Sequence, residues 1–188
     1  MTEAEERYLY KWDELNALET MLSVGGYSTE DAREKFRDSL VDGYIEGFGA
    51  AEYMLDHETD IDEELLEMAL TKSYDGISIY DKFDTYYDEG DGERLKVLMD
   101  NEFHRAYGQG ARDASKGIEA ETGLTVYKTW QTMRDPRVRP THDYLEGTKI
   151  PIDQAFVTYD MDEAMFPGDF SLPDNNCNCR CTLSYSLE

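Results

Sequence analysis

Leu124-Thr-Val-Tyr-Lys-Thr-Trp130 is the stretch at which this chain changes period. Upstream of it, apolar residues recur every three or four positions, as on one face of a helix. From Leu124 onward, β-branched and aromatic side chains alternate with polar ones, which is the pattern of a half-buried strand. Downstream fall all five prolines, Pro136, Pro140, Pro151, Pro167 and Pro173. The chain is therefore read as α+β: a helical N-terminal half followed by a small, turn-rich, β-containing C-terminal unit.

Working back from Leu124, a helix is expected over about residues 93–121, with Gly108 and Gly110 permitting a bend. A shorter helical piece covers 77–87. Another begins at Asp60 or Asp62 and stops near Gly76. A long helix starts where Ser28 or Thr29 can cap it and runs to about residue 56, burying Phe36, Leu40, Tyr44, Phe48, Ala51 and Leu55. Gly43, Gly47, Gly49 and Ala50 thin one side of it, which lowers helix propensity and is best explained by a closely approaching neighbour helix. A first helix is expected over 3–23, with Thr2 and Glu5 in capping-box spacing. The domain reading is an acidic helical extension over 1–58, then a domain over 59–188 made of helices 60–121 and a small α+β unit 122–188. A final strand is expected over 179–185.

The net charge of −24 comes from 42 acidic against 18 basic residues. Residues 1–100 hold 28 of the acids and nine of the bases. Such a field repels a nucleic-acid backbone and attracts basic partners, so direct DNA binding by the N-terminal half is not expected. No apolar run reaches the roughly 18 residues needed to span a bilayer, and the N-terminus is acidic where a secretory leader would be basic. A soluble, intracellular protein is expected. Three cysteines cannot pair completely, which fits a reducing compartment. Gly-x-Ser-x-Gly, His-Glu-x-x-His and a phosphate-cradling glycine loop are all missing from the sequence, so catalysis is not expected.

Two constellations remain. Cys177, Cys179 and Cys181 alternate, and on a strand they would present three sulfurs on one side; with His142 they make a Cys₃His set suited to structural zinc. Thiols packed as small hydrophobes, or a metal held by only two of them, are the alternatives. Arg134, Arg137 and Arg139 with Lys128 form the one basic island, suited to carboxylates or phosphates. Arg137 and Arg139 are each expected to pair with a carboxylate such as Asp135, while docking of a nucleic acid is the rival role.

The run from Tyr127 through Trp130 to Asp135-Pro-Arg137-Val-Arg139-Pro-Thr-His142, then Leu145-Glu-Gly147, Phe166-Pro-Gly168 and Asn176-Cys-Asn-Cys-Arg180-Cys-Thr-Leu183, resembles the phage Mu F-like minor head protein family. Residues 101–110 resemble the helix that precedes this pattern in the family. The likeness covers about 60–185 and is most specific over 130–183. It implies a compact α+β domain, a non-enzymatic role in head morphogenesis, portal or capsid partners, and a place in the host cytoplasm during assembly and then in the virion head. Trp130, Asp135, Arg137, Arg139, Gly147 and Arg180 are the motif positions it marks as structural or interacting. The chain departs from the family in its third cysteine, its acidity and its shortness. The acidity supports a rival reading: an inhibitor of anti-CRISPR or anti-restriction type that imitates phosphate charge and occupies a basic nucleic-acid-binding host protein.

Overall fold

The computed structural model describes residues 26–188 together with Thr20 and Leu22, so the helix expected over 3–23 lies almost wholly outside the described residues. Helix α1 (Thr29–Leu55) starts at Ser28, whose hydroxyl accepts the Asp31 N–H while the Asp31 carboxylate accepts the Ser28 N–H. That reciprocal pair satisfies amides the helix itself cannot. The buried face of α1 contains Phe36, Leu40, Tyr44, Phe48, Ala51 and Leu55, as the sequence period requires.

Helix α2 (Glu63–Leu70) begins at Asp62, whose carboxylate accepts from Glu64 and Leu65 N–H. It stops at Leu70, short of the expected Gly76, because a two-stranded hairpin intervenes. Strands β1 (Ser73–Tyr74) and β2 (Ile77–Ser78) are joined by Asp75 and Gly76, at φ of 54° and 79°. Two successive positive φ values are what a tight type I′ hairpin needs, and Asp-Gly supplies them at low cost. Helix α3 (Ile79–Asp88) follows, and its Phe83 ring stacks on Phe36 at 4.6 Å.

Helix α4 (Gly92–Thr122) is continuous for 31 residues, about 46 Å, and ends at Gly123 with φ of 70°. The helix runs unbroken through Gly108 and Gly110. They are contact surfaces. A Cβ on Gly110 would lie 2.0 Å from the carbonyl oxygen of Tyr44, and one on Gly47 would lie 1.9 Å from that of Tyr107. The two helices therefore touch backbone to backbone at a reciprocal glycine crossing. The Tyr44 hydroxyl donates to Asp113 beside it at 3.0 Å. Gly108 meets the Phe166 ring, where a Cβ would come within 2.3 Å, so the same helix rests on the C-terminal unit.

That unit is built on an antiparallel sheet of order β4-β3-β7, from β3 (Val126–Gln131), β4 (Lys149–Pro151) and β7 (Thr182–Leu187). Trp130 pairs with Leu183 and Lys128 with Tyr185. A hairpin of β5 (Phe156–Val157) and β6 (Glu163–Ala164) and the short helices α5 (Pro140–Asp143) and α6 (Pro173–Asn176) complete it. Val126, Lys128 and Trp130 all face inward from β3 and are fully buried. Lys128 is thus not part of the basic island. Its ammonium donates to the Met165 carbonyl at 2.8 Å and lies 5.3 Å from the Phe156 ring centroid; burial lowers its pKa to about 7. The last strand begins at Thr182 rather than residue 179, because its partner β3 ends at Gln131, which pairs with Thr182. The cysteines therefore precede the strand.

The crossing gives a paired prediction. Gly47→Ala drives a methyl into a backbone carbonyl and lowers urea stability by about 3 kcal/mol. Gly49→Ala, where nothing lies within 4 Å, raises it by about 0.5–1 kcal/mol. Equal effects of the two in equilibrium unfolding contradict the crossing.

Candidate metal centre

Helix α5 is a single turn opened by Pro140, whose missing N–H costs nothing at that position. It delivers His142 into the interior. The ring lies 5.3 Å from Trp130, edge-on, and 5.3 Å from Phe170, nearly stacked, and is 1% exposed. The imidazole is held by aromatic packing: its Nε2 has no hydrogen-bond partner among the described residues.

Nδ1 of His142 lies 3.5 Å from Cys179 Sγ and 3.4 Å from Cys181 Sγ. A tetrahedral zinc with bonds of about 2.05 Å to nitrogen and 2.3 Å to sulfur sets those ligands about 3.5 Å apart. The spacing matches. All three donor atoms lie within 4.8 Å of one another, all three residues are buried, and the cluster can hold a metal ion. The two thiols interact tightly. Cys179 is held well below the ordinary thiol range, chiefly by the hydrogen bond from Cys181 and secondarily by His142, whereas Cys181 is pushed up by donating to Cys179 and by burial.

Of the four ligands expected from sequence, the structure brings together His142, Cys179 and Cys181. Cys177 stands apart at the end of α6, where its Sγ accepts from Asn101 Nδ2 at 3.5 Å. The expectation of three sulfurs on one strand face fails because the left-handed Asn178 breaks the alternation.

The strap from Cys177 to Cys181 is held by arginines. Arg180 grips Asp135 with both terminal nitrogens at 2.7 Å each, and its side chain is 11% exposed. Arg137 pairs with the same carboxylate at 3.3 Å and donates its N–H to it at 2.9 Å. The Arg180 hydrogen bonds, joined by those of Arg137, hold the Asp135 carboxyl well below the usual carboxylate range. Among the described residues Arg139 has no carboxylate partner of the expected kind. It donates to the carbonyls of Asp174 and Cys177 at 2.6 and 2.5 Å, closing the C-terminal end of α6, where acceptors outnumber donors. Arg134 pairs with Glu146 at 2.8 Å. The other motif positions are architectural. Trp130 is fully buried, and Gly147, at φ of 72°, turns the chain so that its N–H reaches the Trp130 carbonyl at 2.9 Å.

Two groups were not singled out from sequence. Asp162 is buried and accepts from Ser171 N–H and hydroxyl, Leu172 N–H and Asn175 Nδ2 at 2.6 to 3.1 Å, fixing the entry to α6. Burial raises its pKa, and these four donors outweigh burial and hold it low. His104 on α4 contacts the Cys181 carbonyl through Nε2 at 3.0 Å, joining the strap to the long helix. One signal was available for Asp162, its place nine residues before a Ser-Leu-Pro turn; nothing local marked His104.

Over residues 34–184 the chain matches the family described as Phage Mu protein F like protein. It is 29% identical over 95 residues to Minor head protein GP7 of Bacillus phage SPP1, which covers 50% of this chain and 30% of that protein. It is 35% identical over 69 residues to NAD(+)--arginine ADP-ribosyltransferase EFV of Enterococcus faecalis (strain ATCC 700802 / V583), covering 36% of this chain and 14% of that protein. The matches thus span less than a third of the length of these curated relatives. No solved structure matches. Among the described residues, no helix is long and apolar enough to cross a membrane.

The clamp on Asp135 makes stability depend on acid. Because its folded pKa is depressed, its contribution is complete above the unfolded value of 3.8 and is lost as pH falls through the folded one. Asp135→Asn is expected to lower the melting temperature at pH 7. The gap to the parent narrows steadily below about pH 4, and a gap that stays constant down to pH 2 contradicts this.

Proposed function

The chain belongs to the Phage Mu protein F like family, and on that basis we propose that it is a structural component of a tailed-phage head. It assembles in the host cytoplasm, contacts portal or capsid subunits, and resides in the virion head. One observation carries this reading: the family match over 34–184, joined by the likeness to a protein named as a minor head protein. The segment shared with the ADP-ribosyltransferase occupies 14% of that protein and brings none of its activity to this reading. The role is structural.

The metal in this reading is zinc. Two thiolates and an imidazole are soft-to-borderline donors that favour zinc over magnesium or calcium, which take oxygen ligands. Bound there, zinc ties α5 to the cysteine strap, two segments otherwise joined by a few hydrogen bonds. Its binding energy becomes folding energy of the C-terminal unit.

Both parts are testable together. Protein purified without chelator is expected to carry about one zinc, falling below about 0.2 equivalents in Cys179→Ser or His142→Ala. Co-expressed with portal and capsid subunits from its own genome, it is expected to capture one of them and keep it at roughly 0.5 M salt, where exposed charges are heavily screened. Capture of a basic nucleic-acid-binding protein instead, lost at that salt, contradicts the head role and favours phosphate mimicry.

A further inference from the structure

We propose that the metal at His142, Cys179 and Cys181 is completed by an exchangeable ligand from solvent, water at rest and a small anion in competition, rather than by a fourth protein side chain. The inference rests on the zinc reading and goes beyond it, from a closed structural site to an open one.

The first observation is the donor count. Zinc takes four ligands, and among the described residues no further His, Cys, Asp or Glu joins the three. The nearest candidates are committed elsewhere. Cys177 has its Sγ on Asn101, its N–H on the Pro173 carbonyl and its own carbonyl on Arg139, so the backbone that would have to swing is pinned at both sides. His104 spends Nε2 on the Cys181 carbonyl. Asp135 is gripped by Arg180.

The second observation is space. A small cavity is lined by His142, Cys179 and Cys181 together with Arg137, Arg139 and Arg180. Its volume of about 20 Å³ exceeds the roughly 10–15 Å³ that one water requires.

The third is charge. Zinc with two thiolates and a neutral imidazole is formally neutral, so an incoming monoanion leaves the centre at −1. Three guanidinium-bearing residues line the cavity against the single Asp135 carboxylate that Arg137 and Arg180 share, a local excess of two positive charges in a chain whose net charge is −24. Arg139 and Arg180 are fixed by their own hydrogen bonds, whereas the Arg137 side chain is 77% exposed and its charge is the one nearest to open solvent. Local positive potential there favours an anion over neutral solvent. The exchange is a simple substitution: water leaves with its lone pair, the anion donates its own, and the metal keeps its oxidation state.

Cobalt(II) replaces zinc and reports its coordination in the visible spectrum, so the test uses the full chain loaded with cobalt and titrated with azide. The expected result is the charge-transfer intensity of two thiolates, unchanged in Cys177→Ser, with ligand-field bands that shift saturably as azide is added. Arg137→Ala is expected to weaken azide about threefold, in the range of an exposed charge interaction, without changing cobalt content. A three-thiolate spectrum that loses one thiolate in Cys177→Ser and ignores azide overturns the open site while leaving the zinc reading intact. Failure to bind cobalt or zinc at all overturns both.

Discussion

The closeness of α1 and α4 is the constraint on which the rest of the molecule depends. Glycine at 47 and at 110 lets each backbone lie against a carbonyl of the other helix, at Tyr107 and Tyr44, and no other residue leaves that space. Leaving side chains out of the crossing sacrifices apolar burial at two positions and some helix propensity, about 1 kcal/mol per glycine. The loss is offset on either side, where Phe36, Leu40, Phe48 and Leu55 from α1 and Met99, Phe103 and Ile118 from α4 are buried. Full burial of each large apolar side chain contributes about 1.5–3 kcal/mol. With the crossing fixed, α4 presents His104 and Gly108 to the C-terminal unit and the Arg105 side chain to α2. Gly108 receives Phe166, Arg105 pairs with buried Glu102 at 2.7 Å and reaches the Ala69 carbonyl, and His104 holds Cys181.

The C-terminal unit is small, and much of it is irregular. Its order comes from buried polar anchors rather than from long ladders: Asp162 at the start of α6, Arg139 at its end, and the Asp135–Arg180 fork over the strap. Each replaces backbone partners that a regular strand or helix would have provided. The metal proposed at His142, Cys179 and Cys181 would add a further tie at the point where these anchors converge. The basic island read from sequence is largely consumed in this work. Arg134, Arg137 and Arg180 face carboxylates and Arg139 faces carbonyls, so they are poorly suited to holding a nucleic-acid backbone.

The long helices were legible because period and cap agreed. Phe36 to Leu55 keep one face, Ser28 starts α1, and Gly123 ends α4. The glycine groove was legible too, since glycines in a helix interior need a packing reason. Failures occurred where two residues decide the backbone. Asp75-Gly76 was read as the end of a helix when it makes a hairpin, and Asn178 turned an apparent strand of alternating cysteines into a bent strap. That bend is why Cys179 and Cys181 meet His142 while Cys177 faces Asn101. Lys128 misled for a different reason: period 2 put it on the buried face with Val126 and Trp130, yet charge alone grouped it with the arginines. Asp162 and His104 act across long stretches of sequence, and no local pattern announces such contacts.

The glycine crossing sets the frame, and the proposed metal would fasten the strap to it. Amide hydrogen exchange, followed with and without a zinc chelator, tests this directly. The prediction is that chelation speeds exchange more than tenfold across residues 139–145 and 177–183 and leaves the middle of α1 and α4 unchanged. Exchange that is identical with and without chelator, or that rises equally in the helical crossing and the strap, contradicts it.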